Sequence, residues 1–454
     1  MKDVVVGAGL AGLSAAWRMR HWDTLVLEAG SRVGGRIRSE RRGRYWLNWG
    51  GHVFAGPGSS TDQLLNEVGV TAVAVLGSLQ GLHMNGKFIR KGHIATYPLR
   101  IPMSLRDRIA TIRTGIKVVG GVLRYTAVLK PRAGESAPMH QQRVYEFDNE
   151  RSFLDFIGDQ PVDAASLFQT TVTRSAGNMD QISAGQGIEY FSLVLGGSTG
   201  LSRAIYGGPS TLTESIAVAL GDTIQLGAKV NEVVHKKDSV VVRYEQDGQD
   251  HEVEARVVVL ATTADVSHKI AVDLPHDLTE ALGKVQYGPH VSTAFLTNET
   301  TRQRWDDVYA IAAPKRSFAI CLNQASVIRS EEAERQPGGS IMCFSPAALG
   351  KALIDKSEEE IIATHLADLE EVLKPGFSDL VVEAHADRWC SASPYCFPGR
   401  AKLQPTLMRG ASRVLLAGDF LGTMYTDSSI TSGFVAATNA ASILATGRQA
   451  GTAA

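Results

Sequence analysis

Residues 1–36 constrain this chain more than any other stretch. An apolar run, Val4-Val5-Val6, leads into Gly7-Ala8-Gly9-Leu10-Ala11-Gly12, and a second run, Thr24-Leu25-Val26-Leu27, ends on Glu28. The pattern predicts a buried strand over residues 3–6, a glycine turn, a helix over residues 13–20 and a second strand over residues 24–27. Gly7 makes the tight turn, Gly9 lets the backbone approach a pyrophosphate, and Gly12 lets the helix pack closely on the strand. The helix N-terminus offers free N–H groups and a positive dipole end to phosphates. Glu28 stands sixteen residues beyond Gly12. There a carboxylate can accept both ribose hydroxyls of an adenosine and would repel a 2′-phosphate. An unphosphorylated dinucleotide, NAD or FAD, is therefore expected.

The acid is followed directly by Ser31-Arg32-Val33-Gly34-Gly35-Arg36. This arrangement resembles the flavin amine oxidase superfamily, which includes monoamine and polyamine oxidases, protoporphyrinogen oxidase and the phytoene desaturases. The resemblance implies FAD held lengthwise, with Gly34-Gly35-Arg36 beside the pyrophosphate and the flavin ring far from the first turn. By itself this triplet is also compatible with an ordinary turn carrying a solvated arginine. Later segments extend the likeness. Gly50-Gly51-His52 corresponds to the glycine pair that passes against the flavin in the family, in a form similar to the protoporphyrinogen oxidase and desaturase side and to UDP-galactopyranose mutase. Gly207 to Leu212 resembles the family's G-G-x-x-x-L segment, and Val230 its backbone contact to adenine. Gly418-Asp419 resembles the Gly-Asp whose aspartate binds the ribityl chain and pyrophosphate. Ser428 to Gly433 opens a helix whose N–H groups near Ile430 and Thr431 would face flavin N1 and O2, where negative charge develops on reduction. The cofactor contacts implied are Gly7, Ala8, Gly9, Leu10, Ala11, Gly12, Glu28, Ala29, Gly34, Gly35, Arg36, Gly50, Gly51, His52, Val230, Gly418, Asp419, Ser429, Ile430 and Thr431.

Three residues are candidates on the substrate side. Tyr425 falls eight residues before Gly433, where monoamine oxidases place one tyrosine of an aromatic cage; a packing role at a strand end is the alternative. The partner position aligns with Ala392, so Tyr395 or Trp389 would have to serve. His52 could hydrogen-bond the flavin or the substrate, or be a satisfied structural histidine. Amine oxidases carry a lysine where this chain aligns Ser292, with His290 nearby, which weakens that reading. Cys390 lies one place from the position of covalent flavin attachment, which aligns with Ser391, so non-covalent FAD is expected. The activity implied is hydride abstraction from a small or medium-sized, largely apolar substrate at a C–N bond, with O2 as electron acceptor. A C–C desaturase or protoporphyrinogen oxidase-like dehydrogenase is the alternative, and a flavin mutase of the UDP-galactopyranose mutase type a further one.

A net charge of −1 argues against a dedicated nucleic-acid binder. The four cysteines form no C-x-x-C and indicate neither a disulfide framework nor a zinc site. A strand beginning at Asp3 leaves no room for a signal peptide, and no uncharged run reaches the ~18 residues of a transmembrane helix. A soluble cytoplasmic protein is the expectation, with a homodimer as one option for its assembly. The fold class expected is α/β with two domains: a discontinuous Rossmann-like FAD domain from residues 1–80, 205–275 and 396–454, and a mixed-sheet and helical substrate domain from 81–204 and 276–395. Asn85-Gly86 signals the hairpin that opens the second. Residues 103–130 read as helical with Ile109, Ile112, Ile116 and Val119 on one face. Residues 100–132 hold eight basic side chains and one acid, Asp107. That stretch fits a patch for anionic lipid, a site for a carboxylated substrate, or a solvated basic face. Residues 130–142 read as a loop and 224–234 as one strand.

Overall fold

The computed structural model describes residues 1–75, 81–195, 201–329, 334–422 and 426–451. Strands from three separated stretches of chain build one seven-stranded sheet. Its order is Ile224–Gln225, Thr24–Leu27, Lys2–Val6, Gln249–Leu260, Val240–Gln246 and Lys229–His235, with Val414–Leu416 also pairing with Gln249–Leu260. Around Lys2–Val6 the pairing is parallel, and Val4 and Val5 are fully buried, as a strand covered on both faces requires. The helices Leu10–Arg18 and Thr426–Gly451 cover one face and cross closely: a Cβ on Gly433 would stand 2.4 Å from the carbonyl oxygen of Ala11.

A second seven-stranded sheet runs Val381–Pro394, Tyr287–Thr297, Gly339–Pro346, Ile320–Asn323, Ala310–Ala312, Gly81–Met84 and Lys87–Ile89. The last two form the hairpin signalled by Asn85 and Gly86, both at positive φ (50° and 73°), as a two-residue turn of this kind demands. In this sheet the alternation of side chains divides the labour. Phe295, Cys321, Ile341 and Cys343 pack with Leu369 and Val372 of the Glu358–Val372 helix. Their neighbours Ser292, Ile320, Leu322, Met342 and Phe344 look the other way, into a cavity.

Helices Leu105–Val128, Ala137–Glu146, Phe153–Ile157, Val162–Val172 and Ala184–Val194 make a bundle with its own apolar cluster around Phe153, Phe168 and Ile188.

Three expectations change. The stretch read as one strand at 224–234 is two, Ile224–Gln225 and Lys229–His235, on opposite edges of the first sheet, because Gly227 at φ 69° turns the chain between them. The loop read at 130–142 contains the start of a helix, which the Ser136 hydroxyl caps by accepting the Met139 N–H. In the 105–128 helix, Ile109, Ile112, Ile116 and Val119 share a face, but that face is exposed. The bundle is packed through Thr111, Thr114, Val118, Gly121, Val122 and Tyr125 instead.

Candidate active site

The first turn has the geometry its glycines imply. A Cβ on Gly12 would lie 1.9 Å from the Gly7 carbonyl oxygen, so only glycine lets the helix sit on the strand. A Cβ on Gly9 would meet nothing within 4 Å: the space in front of it is open. The helix beginning at Leu10 has no side-chain cap and no acid in its first turn. Its leading N–H groups are thus available to an anion. Glu28 reaches back to this turn, its two carboxylate oxygens accepting the N–H of Ala8 (2.7 Å) and of Gly30 (2.8 Å). Ala8 in turn accepts the Gly34 N–H through its carbonyl (2.8 Å), and a Cβ on Gly35 would stand 3.2 Å from the Gly9 Cα. The two glycine segments therefore nest against one another at the cavity edge.

Arg36 leaves this nest and meets the distant C-terminal segment. Its guanidinium donates to both carboxylate oxygens of Asp419 (2.8 and 2.9 Å) and to the Ala392 carbonyl (2.9 Å). Burial works against the charge on Arg36, but the Asp419 carboxylate outweighs it and holds the guanidinium above its ordinary pKa. Gly50 and Gly51 cross this segment: a Cβ on Gly50 would lie 2.2 Å from the Arg36 carbonyl oxygen, and one on Gly51 2.8 Å from Ile37 Cδ1. Contact with the protein's own backbone is therefore reason enough for Gly50, whereas Gly51 meets side-chain tips only; both line the cavity.

The cavity, about 460 Å3, runs from Gly7, Gly9 and Glu28 past Gly34 to Ile37 and Trp49 to Val53. It ends between the second sheet and the bundle, on Tyr309, Ile320, Leu322, Met342, Phe344, Tyr190, Leu193 and Arg174. His52 and His290 flank Phe344, with ring centroids 5.8 and 5.7 Å from it. Burial pushes both imidazoles down to about 4; the Gly50 bond opposes this at His52, and the charge of Arg174 adds to it. Both are neutral at pH 7. His52 Nδ1 lies 3.2 Å from the Gly50 carbonyl, an obligate acceptor, so Nδ1 carries the proton and Nε2 the lone pair. His290 Nε2 is buried without a hydrogen-bond partner. The phenols of Tyr190 and Tyr309 are pushed up by burial and stay protonated. Among the described lining residues, Arg174 is the one charged side chain away from the Glu28, Arg36 and Asp419 end.

Of the residues singled out in the sequence, Gly7, Gly9, Leu10, Ala11, Glu28, Gly34, Gly35, Arg36, Gly50, Gly51, His52, Gly418, Asp419 and Ser429 border this one cavity. Ala8 and Gly12 lie behind it as supports, and Ala29 and Val230 do not border it. Ile430 and Thr431 differ from expectation. The helix starts at Thr426, so their N–H groups are taken up within it. Ile430 is fully buried in the core, and the Thr431 hydroxyl donates to Ser60 (2.7 Å). Tyr395 is also placed elsewhere, its ring in the bundle cluster and its hydroxyl donating to Gln286 (2.5 Å). Tyr425 lies outside the described residues. Sequence reading missed Arg174, Tyr190, Tyr309, Leu322, Met342 and Phe344. No local motif marks them; the period of two in 320–322 and 342–344 was a signal, but only the sheet says which face is which.

The chain matches the family of flavin containing amine oxidoreductases over residues 10–445. It is similar to amine oxidase [flavin-containing] A of Canis lupus familiaris, with 23% identity over 78% of this chain and 65% of the dog protein's length. Among solved structures, it resembles putrescine oxidase bound to putrescine (TM-score 0.77, 19% identity, 98% of this chain and 99% of that one). It also resembles cyclohexylamine oxidase from Brevibacterium oxydans (TM-score 0.75, 16% identity, 98% and 99%). At such identities these two likenesses speak for the fold.

Proposed function

Because the chain belongs to the flavin containing amine oxidoreductase family, we propose that it oxidises the C–N bond of a largely apolar amine, using non-covalently bound FAD and passing the electrons to O2. One observation carries this reading. A single cavity joins a turn built for a pyrophosphate, at Gly9, Leu10, Ala11 and Glu28, to a pocket walled by Ile320, Leu322, Met342 and Phe344. A flavin bound there supplies the hydride acceptor. Glu28 would hold the adenosine ribose, the leading N–H groups of the Leu10–Arg18 helix the phosphates, and Arg36 with Asp419 the region where the two outer segments meet.

The apolar walls exclude water and orient the substrate's reacting carbon. A conjugate acid near 4 makes His52 and His290 weak proton acceptors at neutral pH. That suits a neutral amine, whose oxidation requires no protein base. Arg174, as the cation of the substrate end, disfavours a diammonium substrate and lowers the protonated fraction of a bound amine. Non-covalent attachment is supported by the place of Cys390: it is exposed and does not border the cavity, which Trp389, Ser391, Ala392 and Ser393 line.

One observation favours a second reading, removal of hydrogen across a C–C bond. Ser292, which the sequence reading aligns with the lysine of the family's amine oxidases, lines the cavity, and His290 nearby has a buried, unpartnered Nε2. Anaerobic mixing of the flavin-loaded protein with an apolar monoamine, a linear diamine, an amino acid and a polyene separates the two. Bleaching of the flavin band by the monoamine, followed by peroxide formation when air is admitted, is expected. Bleaching by the polyene but by no amine would overturn the C–N assignment.

A further inference from the structure

The Leu105–Val128 helix has two faces able to bury surface, and the bundle uses one of them. Inward, Val118, Gly121 and Val122 pack so tightly on the Ala184–Val194 helix that a Cβ on Gly121 would stand 2.9 Å from Ile188 Cδ1. Outward, Leu105, Ile109, Ile112, Ile116, Val119 and Leu123 are 72, 58, 40, 69, 43 and 68% exposed. At about 100° per residue these six fall within roughly 80° of one another, on the side opposite the buried face. Six large apolar side chains in one exposed row form a contiguous patch, which a soluble surface rarely presents without use.

The flank of this row is cationic. Arg106, Arg113, Lys117 and Arg124 fall within roughly 40° of each other along its edge. Arg124 pairs with Asp148 at 3.6 Å, and Lys117 sits 5.0 Å over the Phe156 ring; Arg106 and Arg113 make neither kind of contact among the described residues. The helix's acid, Asp107, points away. Its carboxylate takes the Asp163 N–H (2.9 Å) and is held by Ser104 at the helix start. Leu99, 64% exposed, lies beside the N-terminal end, where Arg108 donates to its carbonyl (3.5 Å).

We propose that this face docks the protein onto an anionic lipid bilayer, the helix lying in the plane of the interface. The isoleucine row would enter the headgroup and acyl boundary, and the arginine row would lie against lipid phosphates. Among the described residues no helix is long and apolar enough to cross a membrane, so the contact is peripheral. A second copy of the chain fits the face less well. A two-fold antiparallel pairing of the apolar rows sets the two basic rows side by side, and a parallel pairing sets each against the flank that carries Arg108. In neither case does the outward face supply an acid. An anionic bilayer provides apolar depth and negative charge together.

The test is flotation of the flavin-loaded protein with phosphatidylcholine vesicles, with and without phosphatidylglycerol. The wild type should float only with the anionic vesicles and be released by salt. Ile112→Glu/Ile116→Glu should abolish flotation. Arg106→Gln/Arg113→Gln should lower the partition coefficient about 25-fold, at about fivefold per charge, and Arg106→Lys/Arg113→Lys should retain it. Flavin content and melting temperature should stay at wild-type values, since all four side chains point outward. If the isoleucine variant fails to fold, the arginine pair still decides. A wild type indifferent to anionic vesicles overturns the proposal. So does a glutamine or glutamate variant that floats as well as wild type. So, too, does a wild-type dimer that Ile112→Glu/Ile116→Glu dissociates while neither protein binds vesicles.

Discussion

Two glycines three residues apart should fail in opposite ways when each is replaced by alanine. At Gly12 the new Cβ would stand 1.9 Å from the Gly7 carbonyl oxygen and 3.0 Å from the Ala261 Cβ, both part of the packed strand-to-helix junction. The overlap exceeds an ångström against a backbone atom that cannot move without breaking the strand, so Gly12→Ala should cost about 3 kcal/mol or more of fold stability. At Gly9 the backbone is ordinary extended chain (φ −72°, ψ 177°), and the Cβ meets nothing within 4 Å. The cofactor-free protein should therefore tolerate Gly9→Ala, or gain up to about 1 kcal/mol from a less flexible unfolded chain. The cost should appear on binding. If the pyrophosphate lies against this turn, the methyl occupies its approach, and an overpacking cost of about 1–3 kcal/mol weakens FAD binding about 5- to 150-fold. Urea unfolding of the cofactor-free proteins reads the first quantity, and titration with FAD followed by quenching of its fluorescence reads the second. A Gly9→Ala protein that binds FAD within a factor of about two of wild type would refute the placement of the phosphates over Gly9. A Gly12→Ala protein of wild-type stability would refute the packing argument.

Glu28→Gln keeps the shape but turns the charged acceptor proposed for the ribose hydroxyls into a neutral amide. The loss of one charge-assisted bond, about 1.5–3 kcal/mol, should show as FAD lost on dialysis; full retention would mean that the ribose lies elsewhere. Arg36→Ala, Asp419→Ala and the double variant form a thermodynamic cycle. The Arg36 side chain is 31% exposed, so a coupling of about 2 kcal/mol, below the range for buried pairs, is expected in urea unfolding; additive effects would remove the pair from the account. His365, fully buried between the hydroxyls of Thr293 and Ser345 (2.8 Å each), is pushed down by burial to about 4. Its neutral form is the folded one. The associated stability, about 3 kcal/mol, is complete above pH 6.5 and is lost as pH falls toward 4, with His52 and His290 acting in the same direction. Urea midpoints that do not fall across that window, or that fall equally in His365→Gln, would contradict this.

What the sequence by itself determined lies where the chemistry is local. Gly7 to Gly12 between two apolar strands, Glu28 at a strand end and the Asn85-Gly86 turn each depend on conformational preferences within a few residues, and these need no distant partner to be legible. The glycine-lined end of the cavity was readable for that reason: at Gly7, Gly9, Gly34, Gly35, Gly50 and Gly51 the lack of a side chain is itself the signal. The tertiary structure alone decided the rest. Arg36 and Asp419 are 383 positions apart, and nothing in either motif names the other as its ion-pair partner. Ile320, Leu322, Met342 and Phe344 alternate with Cys321 and Cys343, and only the helix laid on one side of the sheet makes one set core and the other the cavity wall. The helical period of Ile109, Ile112, Ile116 and Val119 reads as a core face, yet the neighbouring helices took the opposite side, where Gly121 permits closer approach. A period shows that a face exists; which surface covers it depends on burial summed over distant parts of the chain, and that sum is available only once the chain has folded.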